Sequence, residues 1–293
     1  AGSTAGTAGG GTAGASGSAG AAGAATGQPD YETEFETGAG WSDRNDPDGS
    51  VQYGVSGGHD GNVAELTFPG NPALGSGDNT SPAHATEIAW ESRHYGTYRA
   101  RVELARCSAG EEVVNGIFTY AHGGDTNGNG ITDNDEIDIE ILCGEPYIIF
   151  LTTWTDYDSD TSFRKWSRAI DTRTGDYQES PTATEYGLGP VLGNIAGAHV
   201  PGFPEAGRFY EMGFDWHPDR IRWFMVFDTE EVTLWDFTDP SLIPQNPAAF
   251  LFNLWHAPSH WFAGGAADYP ASDATMRIDW FRFFRSLVKA PVY

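Results

Sequence analysis

One run of eight residues, Asp135-Glu136-Ile137-Asp138-Ile139-Glu140-Ile141-Leu142, limits what this chain can fold into. From Glu136 onward acid and aliphatic residues alternate without a break, which is the two-residue period of a strand. Glu136, Asp138 and Glu140 share one face, and Ile137, Ile139 and Ile141 share the other. The acid face gains nothing from a core and its charges repel. It is either a solvated strand face or a site. A solvated face would normally mix in Lys, Thr or Ser, and the nearest basic residue after the acids is Arg164. The reading favours a site.

Charge narrows the partners. The chain has 16 Lys and Arg against 41 Asp and Glu, a net charge of -25. Nucleic-acid binding needs clustered Lys and Arg, so it is not expected. Anionic membranes are disfavoured for the same reason. Neutral polymers remain, and 10 Trp with 12 Tyr suit either sugar stacking or core filling. No apolar run reaches the length of a membrane span, so no insertion is expected. No signal peptide is seen, but a mature exported chain would already have lost it.

Residues 1–29 contain only Ala, Gly, Ser and Thr until Gln28-Pro29, and are expected to form a flexible tether or an inert tail. The folded domain is placed at 30–293, a length suited to one large all-β domain. The expected setting is secreted or cell-surface tethered, as a monomer.

Short strands are expected between Tyr31 and Phe68, with turns at Asp46-Pro47-Asp48-Gly49 and His59-Asp60-Gly61-Asn62. A loop over 69–83 leads to strands at Glu87–Ser92, Tyr95–Leu104 and Val113–Ala121. After the acidic strand come Tyr147–Trp154, a hairpin of Tyr210–Pro218 with Arg220–Asp228, Phe250–Trp255 and Thr275–Phe284. Residues 156–207 read as one long polar loop walling a cleft. Only Pro240–Asn246 has weak helical potential. These evenly spaced strands predict a two-sheet β-sandwich. In a simple meander Cys107 and Cys143 would end strands roughly 10 Å apart, out of bonding reach unless a loop bends over. The spacing leaves the bridge open.

The loop before the acidic strand places Asp125, Asn127, Asn129, Asp133 and Glu136 at calcium-loop positions. Its flanks read as strands rather than helices, and Glu136 cannot both chelate and face a cleft. A polar turn is the competing reading.

Same-face neighbours on a strand are about 7 Å apart, so Glu136 and Glu140 have Cα atoms roughly 13 Å apart. Long side chains on a concave sheet shorten that gap. A retaining glycosidase needs its two carboxyl groups about 5 Å apart, one as nucleophile and one as acid/base. Asp138 between them could hydrogen-bond the nucleophile and raise the pKa of the acid/base.

Glu136-Ile137-Asp138-Ile139-Glu140 resembles the active-site signature of glycoside hydrolase family 16, whose members share a β-jelly-roll, concanavalin-like sandwich with a concave cleft. The likeness runs over residues 31–286. Tyr95-Gly96-Thr97-Tyr98-Arg99-Ala100-Arg101 looks like the strand ahead of the site. Gly213-Phe214-Asp215-Trp216-His217-Pro218 through Arg222-Trp223-Phe224 resembles the downstream hairpin. Asn253-Leu254-Trp255 and Ile278-Asp279-Trp280-Phe281-Arg282 resemble the closing strands. The resemblance implies Glu136 as nucleophile, Asp138 as assistant and Glu140 as acid/base, with no catalytic cofactor. No residue is inserted between Asp138 and Glu140, as in lichenases, which implies an endo-glucanase acting on β-1,3-1,4-glucan or β-1,3-glucan. A xyloglucan hydrolase or transglycosylase, or a non-catalytic glucan-binding module, are the alternatives. It further implies Trp154, Trp255 and Trp261 as sugar platforms and Asn253, Glu87 and Trp90 near the cleft. A structural calcium on the convex side would involve Asp279 and Gly61. Asn134 and Thr152 depart from the lichenase pattern, which carries bulkier groups at those positions.

Overall fold

The computed structural model describes residues 27–44, 49–59, 61–74, 85–125, 128, 130, 132, 134–159, 162–181 and 189–286. Residues 1–26 of the expected tether, Asp46-Pro47-Asp48 and Asp60 of the turns, 75–83 of the loop and 287–293 of the domain lie outside them. So do Asn127, Asn129 and Asp133 of the calcium-loop pattern.

In chain order the first strands are β1 (Tyr31–Thr33), β2 (Trp41–Asp43), β3 (Ser50–Ser56), β4 (Asn62–Phe68), β5 (Ala85–Arg93) and β6 (Gly96–Glu103). Next come β7 (Val113–Ala121), β8 (Asp135–Leu142), β9 (Ile148–Ser159), β10 (Ser162–Asp171), β11 (Asp176–Ser180) and β12 (Gly193–Asn194). The last are β13 (Tyr210–His217), β14 (Arg220–Phe227), β15 (Glu230–Phe237), β16 (Ala248–His256) and β17 (Ala274–Arg285). The helical potential near 240 is realised as a single 3-10 turn, Pro240–Leu242, where the Asp239 side chain accepts from the Ser241 amide. Among the described residues no helix is long and apolar enough to cross a membrane.

Two antiparallel sheets result. The back sheet runs β15-β14-β13-β6-β17-β4-β3, with β1 on β17, and the front sheet runs β12-β11-β10-β9-β8-β7-β16-β5-β2. The predicted all-β sandwich is therefore the fold. Its core is the alternating set that each strand turns inward: Ile137, Ile139 and Ile141 of β8 against Tyr98, Phe214 and Trp223 of the back sheet, all essentially without exposure. Burying a side chain of this size contributes roughly 1.5–3 kcal/mol, which is why the aliphatic face of the acidic strand dictates which way its acids point.

Residues 156–207 are not one loop. β9 runs on to Ser159, and β10, β11 and β12 extend the front sheet by three strands. The polar composition misleads because its charges find cross-strand partners. Arg168 lies 4.0 Å over Tyr177 and 5.0 Å over Trp235, and donates to Glu179. β15 also lies outside the expected strand set; its Trp235 stacks on Trp223 with centroids 4.9 Å apart.

Cys107 and Cys143 form a disulfide, with Cα atoms 5.1 Å apart. The meander geometry fails because β6 belongs to the back sheet and β8 to the front sheet. Residues 104–112 cross between the sheets and carry Cys107 to Cys143 just past the end of β8, where the Cys143 amide also donates to the Val113 carbonyl of β7 at 2.8 Å.

Candidate active site

β8 sits in the interior of the front sheet, between β7 and β9. Its register with β7 is continuous from Asp135 to Leu142, and with β9 from Glu136 to Glu140, so the strand has no bulge. Strict alternation therefore survives into the fold, and all three acids face the open side of the sheet. Glu136 and Glu140 are partly exposed, while Asp138 is buried with an Oδ2 that has no hydrogen-bond partner among the described residues.

The strand is anchored from behind. The indole of Trp223 in the back sheet crosses the core and donates to the Asp138 carbonyl oxygen at 3.0 Å. At the strand's start Asp135 Oδ2 accepts from the backbone amides of Gln245 and Asn246 and from the Asn246 side chain, at 3.0–3.3 Å. Asn134, one residue earlier, accepts from the Gly123 amide. Backbone placement of the acids is thus set by the core, not by contacts among the acids.

Burial and mutual repulsion push the row upward in pKa. Asp138 is raised well above the usual carboxylate range by burial and by Glu136 and Glu140. Burial, then Glu140, raises Glu136 to about 8, and burial raises Glu140 to about 7. Opposing all three is Lys165 on β10, a residue that is itself buried. Burial lowers its own pKa to about 8 against the pull of the three acids. The sequence hides this counter-charge because it arrives from two strands away. Lys165 pairs in register with Trp154, which pairs with Glu136. An odd-numbered residue in a strand read as loop left no signal.

The remaining expected residues divide. Trp154 is on the cleft face beside Glu136, but the Lys165 ammonium lies 4.0 Å from its ring centroid. One ring face is therefore occupied by a cation, and its side chain hydrogen-bonds Asp138. It supports the acids rather than offering a free platform on that face. Trp255 and Trp261 come together at the Glu140 end, with centroids 5.8 Å apart. Trp261 also packs edge-on to Phe150, the cross-strand partner of Glu140, at 5.2 Å.

Asn253 and Glu87 face the cleft side by side across β16 and β5. Their side chains hydrogen-bond, and burial raises the Glu87 pKa. The Asn253 Oδ1 has no partner among the described residues. Gly116 makes room for it, since a Cβ there would lie 2.2 Å from that oxygen. Trp90 is not a cleft residue. Three positions separate it from Glu87, an odd step that reverses the face of a strand. It lies in the inter-sheet core, 5.2 Å from Phe281 between ring centroids.

Thr152, opposite Asp138, is small and buried, and donates to Ser167 at 3.0 Å. The loop carrying Trp261 is held by two further acids absent from the expected set. Glu145 accepts from the amides of Phe262 and Ala263 at 2.9 and 2.6 Å. Glu112 accepts from the Gly144 amide and pairs with the His260 ring, and its burial raises its pKa to about 7. The ligand atoms of Glu112, Glu145 and His260 lie within 4.8 Å of one another, yet every carboxylate oxygen already has a protein donor.

The convex calcium site expected at Asp279 and Gly61 does not fit. Asp279 is wholly buried; its Oδ1 accepts from the His59 amide at 2.8 Å, and its Oδ2 is taken by the Arg101 guanidinium. The Gly61 carbonyl accepts from the Gly57 amide at 3.1 Å. A fixed cation already neutralises the carboxylate. At the other candidate loop, Asp125 accepts from the amides of Gly128 and Gly130 at 2.7 and 2.9 Å.

No protein-family model matches the chain. It is 26% identical over 186 residues to a beta-glucanase of Bacillus subtilis (strain 168), covering 60% of this chain and 55% of that protein. The chain thus spans about half the length of the curated relative it matches. Its fold is shared with the laminarinase catalytic domain from Thermotoga maritima MSB8, at 13% identity and a TM-score of 0.54, covering 89% of this chain and 99% of that one. A Crh5 transglycosylase in complex with NAG aligns at 20% identity and a TM-score of 0.52, covering 87% and 83%. A family 16 endo-glucanase from Bacteroides ovatus aligns at 13% and 0.50, covering 87% and 99%.

Proposed function

We propose, from the likeness of this chain to glycoside hydrolase family 16 and its lichenase-type signature, that it is a retaining endo-β-glucanase. The observation that carries the reading is the unbulged row of Glu136, Asp138 and Glu140 on the open face of the front sheet. In the double displacement Glu136 attacks the anomeric carbon while Glu140 protonates the departing glycosidic oxygen. Glu140 then takes a proton from the water that releases the sugar. Burial raises the pKa of Glu140, the direction a proton donor near neutrality needs, and it raises Glu136 as well, a rise that Lys165 opposes. Asp138 is hydrogen-bonded by Trp154 and carries an open Oδ2, which supports its role as the assistant to the nucleophile.

β-1,3-1,4-Glucan is the favoured substrate, with β-1,3-glucan next. Trp255 and Trp261 supply the stacking surface at the Glu140 end, and the open Asn253 Oδ1 supplies an acceptor for a sugar hydroxyl. The placement is secreted or cell-surface, and no metal enters the chemistry.

The deciding experiment offers the full chain lichenan, laminarin, xyloglucan and agar and analyses the products. Lichenan cleavage with retained configuration is expected. Glu136→Gln and Glu140→Gln are each expected to lower kcat by about 10³-fold or more while the circular dichroism spectrum is unchanged. Full activity in either variant overturns the assignment. Retained glucan affinity in gel-shift without cleavage of any of the four marks a sugar-binding module instead.

A further inference from the structure

The acid row has a partner that the proposed chemistry does not use. Lys165 is buried on the sheet face that carries the three acids, and it stands in register two strands from Glu136. A lysine is seldom buried without a reason, since desolvating an ammonium costs several kcal/mol unless it is paired. Here the three acids of the row act on it through their charge, and the Trp154 ring lies 4.0 Å away. A cation over the face of an indole is stabilised by the ring quadrupole. The same indole reaches Asp138, so ring, ammonium and central acid form one connected unit.

We propose that Lys165 is the built-in counter-ion of the carboxylate row, a positioning residue that acts through charge and through Trp154. This rests on the glucanase reading for its catalytic meaning, though not for its electrostatics. Glu136, Asp138 and Glu140 are the charges that act on Lys165. Two described acids on the flanking strands hold other partners. Asp156 of β9 pairs with Arg164 at 3.7 Å, and Glu179 of β11 holds Arg168 and Trp166. The ammonium opposes the rise in pKa of all three carboxylates and so favours an ionised nucleophile. Without it, all three are driven towards the protonated form, and the nucleophile is the first loss.

Two readouts test this on the full chain. The first is the pH profile of kcat/KM on lichenan for wild type, Lys165→Met, Lys165→Gln and Lys165→Arg. Loss of the charge is expected to move both limbs towards alkaline pH by about one unit or more, with Lys165→Arg restoring at least half of the shift. A lysine with a merely structural role would lower kcat and leave the limbs in place, and that result overturns the proposal. The second is titration of the Glu and Asp side-chain carbons by ¹³C NMR, without substrate. The midpoints of Glu136, Asp138 and Glu140 are expected to rise in both neutral variants, and unchanged midpoints in a folded variant overturn the proposal. Should wild type cleave no glucan, the glucanase reading fails alone, because the NMR titration still decides the role of Lys165.

Discussion

The two outward faces of this sandwich treat charge in opposite ways. On the back sheet Arg99 bridges Glu211 and Glu231, Arg222 bridges Asp215 and Glu231, and Arg101 holds Asp279. Arg277 lies beside Glu65 and Glu103 at 3.6 and 3.3 Å. Each acid there meets a guanidinium on a neighbouring strand. On the front sheet three acids share one lysine, and Asp138 keeps an oxygen without a partner among the described residues. Both faces are built from the same polar-apolar alternation. The difference lies in what the adjacent strands contribute, and it separates a face that stabilises the fold from one that stores reactivity.

Breaking the back-sheet side should cost most. Arg101→Ala leaves the fully buried Asp279 with its charge uncompensated, and the expected loss is about 3–5 kcal/mol in chemical denaturation. A loss below about 1 kcal/mol would mean that Arg101 is not the cation which Asp279 requires.

The front-sheet side should respond with the opposite sign. Glu136 has a folded pKa near 8, above that of an unfolded glutamate. The native state therefore binds the proton more tightly, and its contribution to stability is complete below about pH 4.5 and lost as pH rises through 8. Glu136→Gln, which never ionises, is expected to be more stable than wild type by about 1–2 kcal/mol at pH 8.5. No advantage is expected at pH 4, as thermal melts at the two pH values would show. Equal stability at both would place the Glu136 carboxylate in a solvated setting.

The smallest effect sharpens the comparison from within the back sheet. Arg220 and Asp236 pair at 2.6 Å but are 33% and 45% exposed. Arg220→Ala is expected to change stability by no more than about 0.5 kcal/mol. Should it match Arg101→Ala, burial would not be what distinguishes the rungs of the ladder.

Much of the fold was legible because strand alternation is a local signal. β7, β8 and the β13–β14 hairpin stand within a residue of where their patterns put them, and the outward face of Glu136, Asp138 and Glu140 follows from Ile137, Ile139 and Ile141 alone. β10 and β15 were illegible for the converse reason. Their polar residues are satisfied across strand pairs, Arg168 of β10 by Glu179 of β11 and Glu231 and Thr233 of β15 by Arg222 of β14, so their polarity hides the alternation. Trp90 shows a subtler failure, since an aromatic residue near a motif says nothing about its face until the step from Glu87 is counted.

By itself the sequence determined a sheet protein with three acids on one strand face, since a period of two leaves those side chains nowhere else to go. Only the tertiary structure decided what meets them. It brought Lys165 and Trp154 beside the row, placed Arg101 against Asp279, and closed Cys107 on Cys143 across a crossing between sheets. Each of these depends on which strands become neighbours, and pairing between distant segments is set by the packing of the whole core rather than by any local pattern.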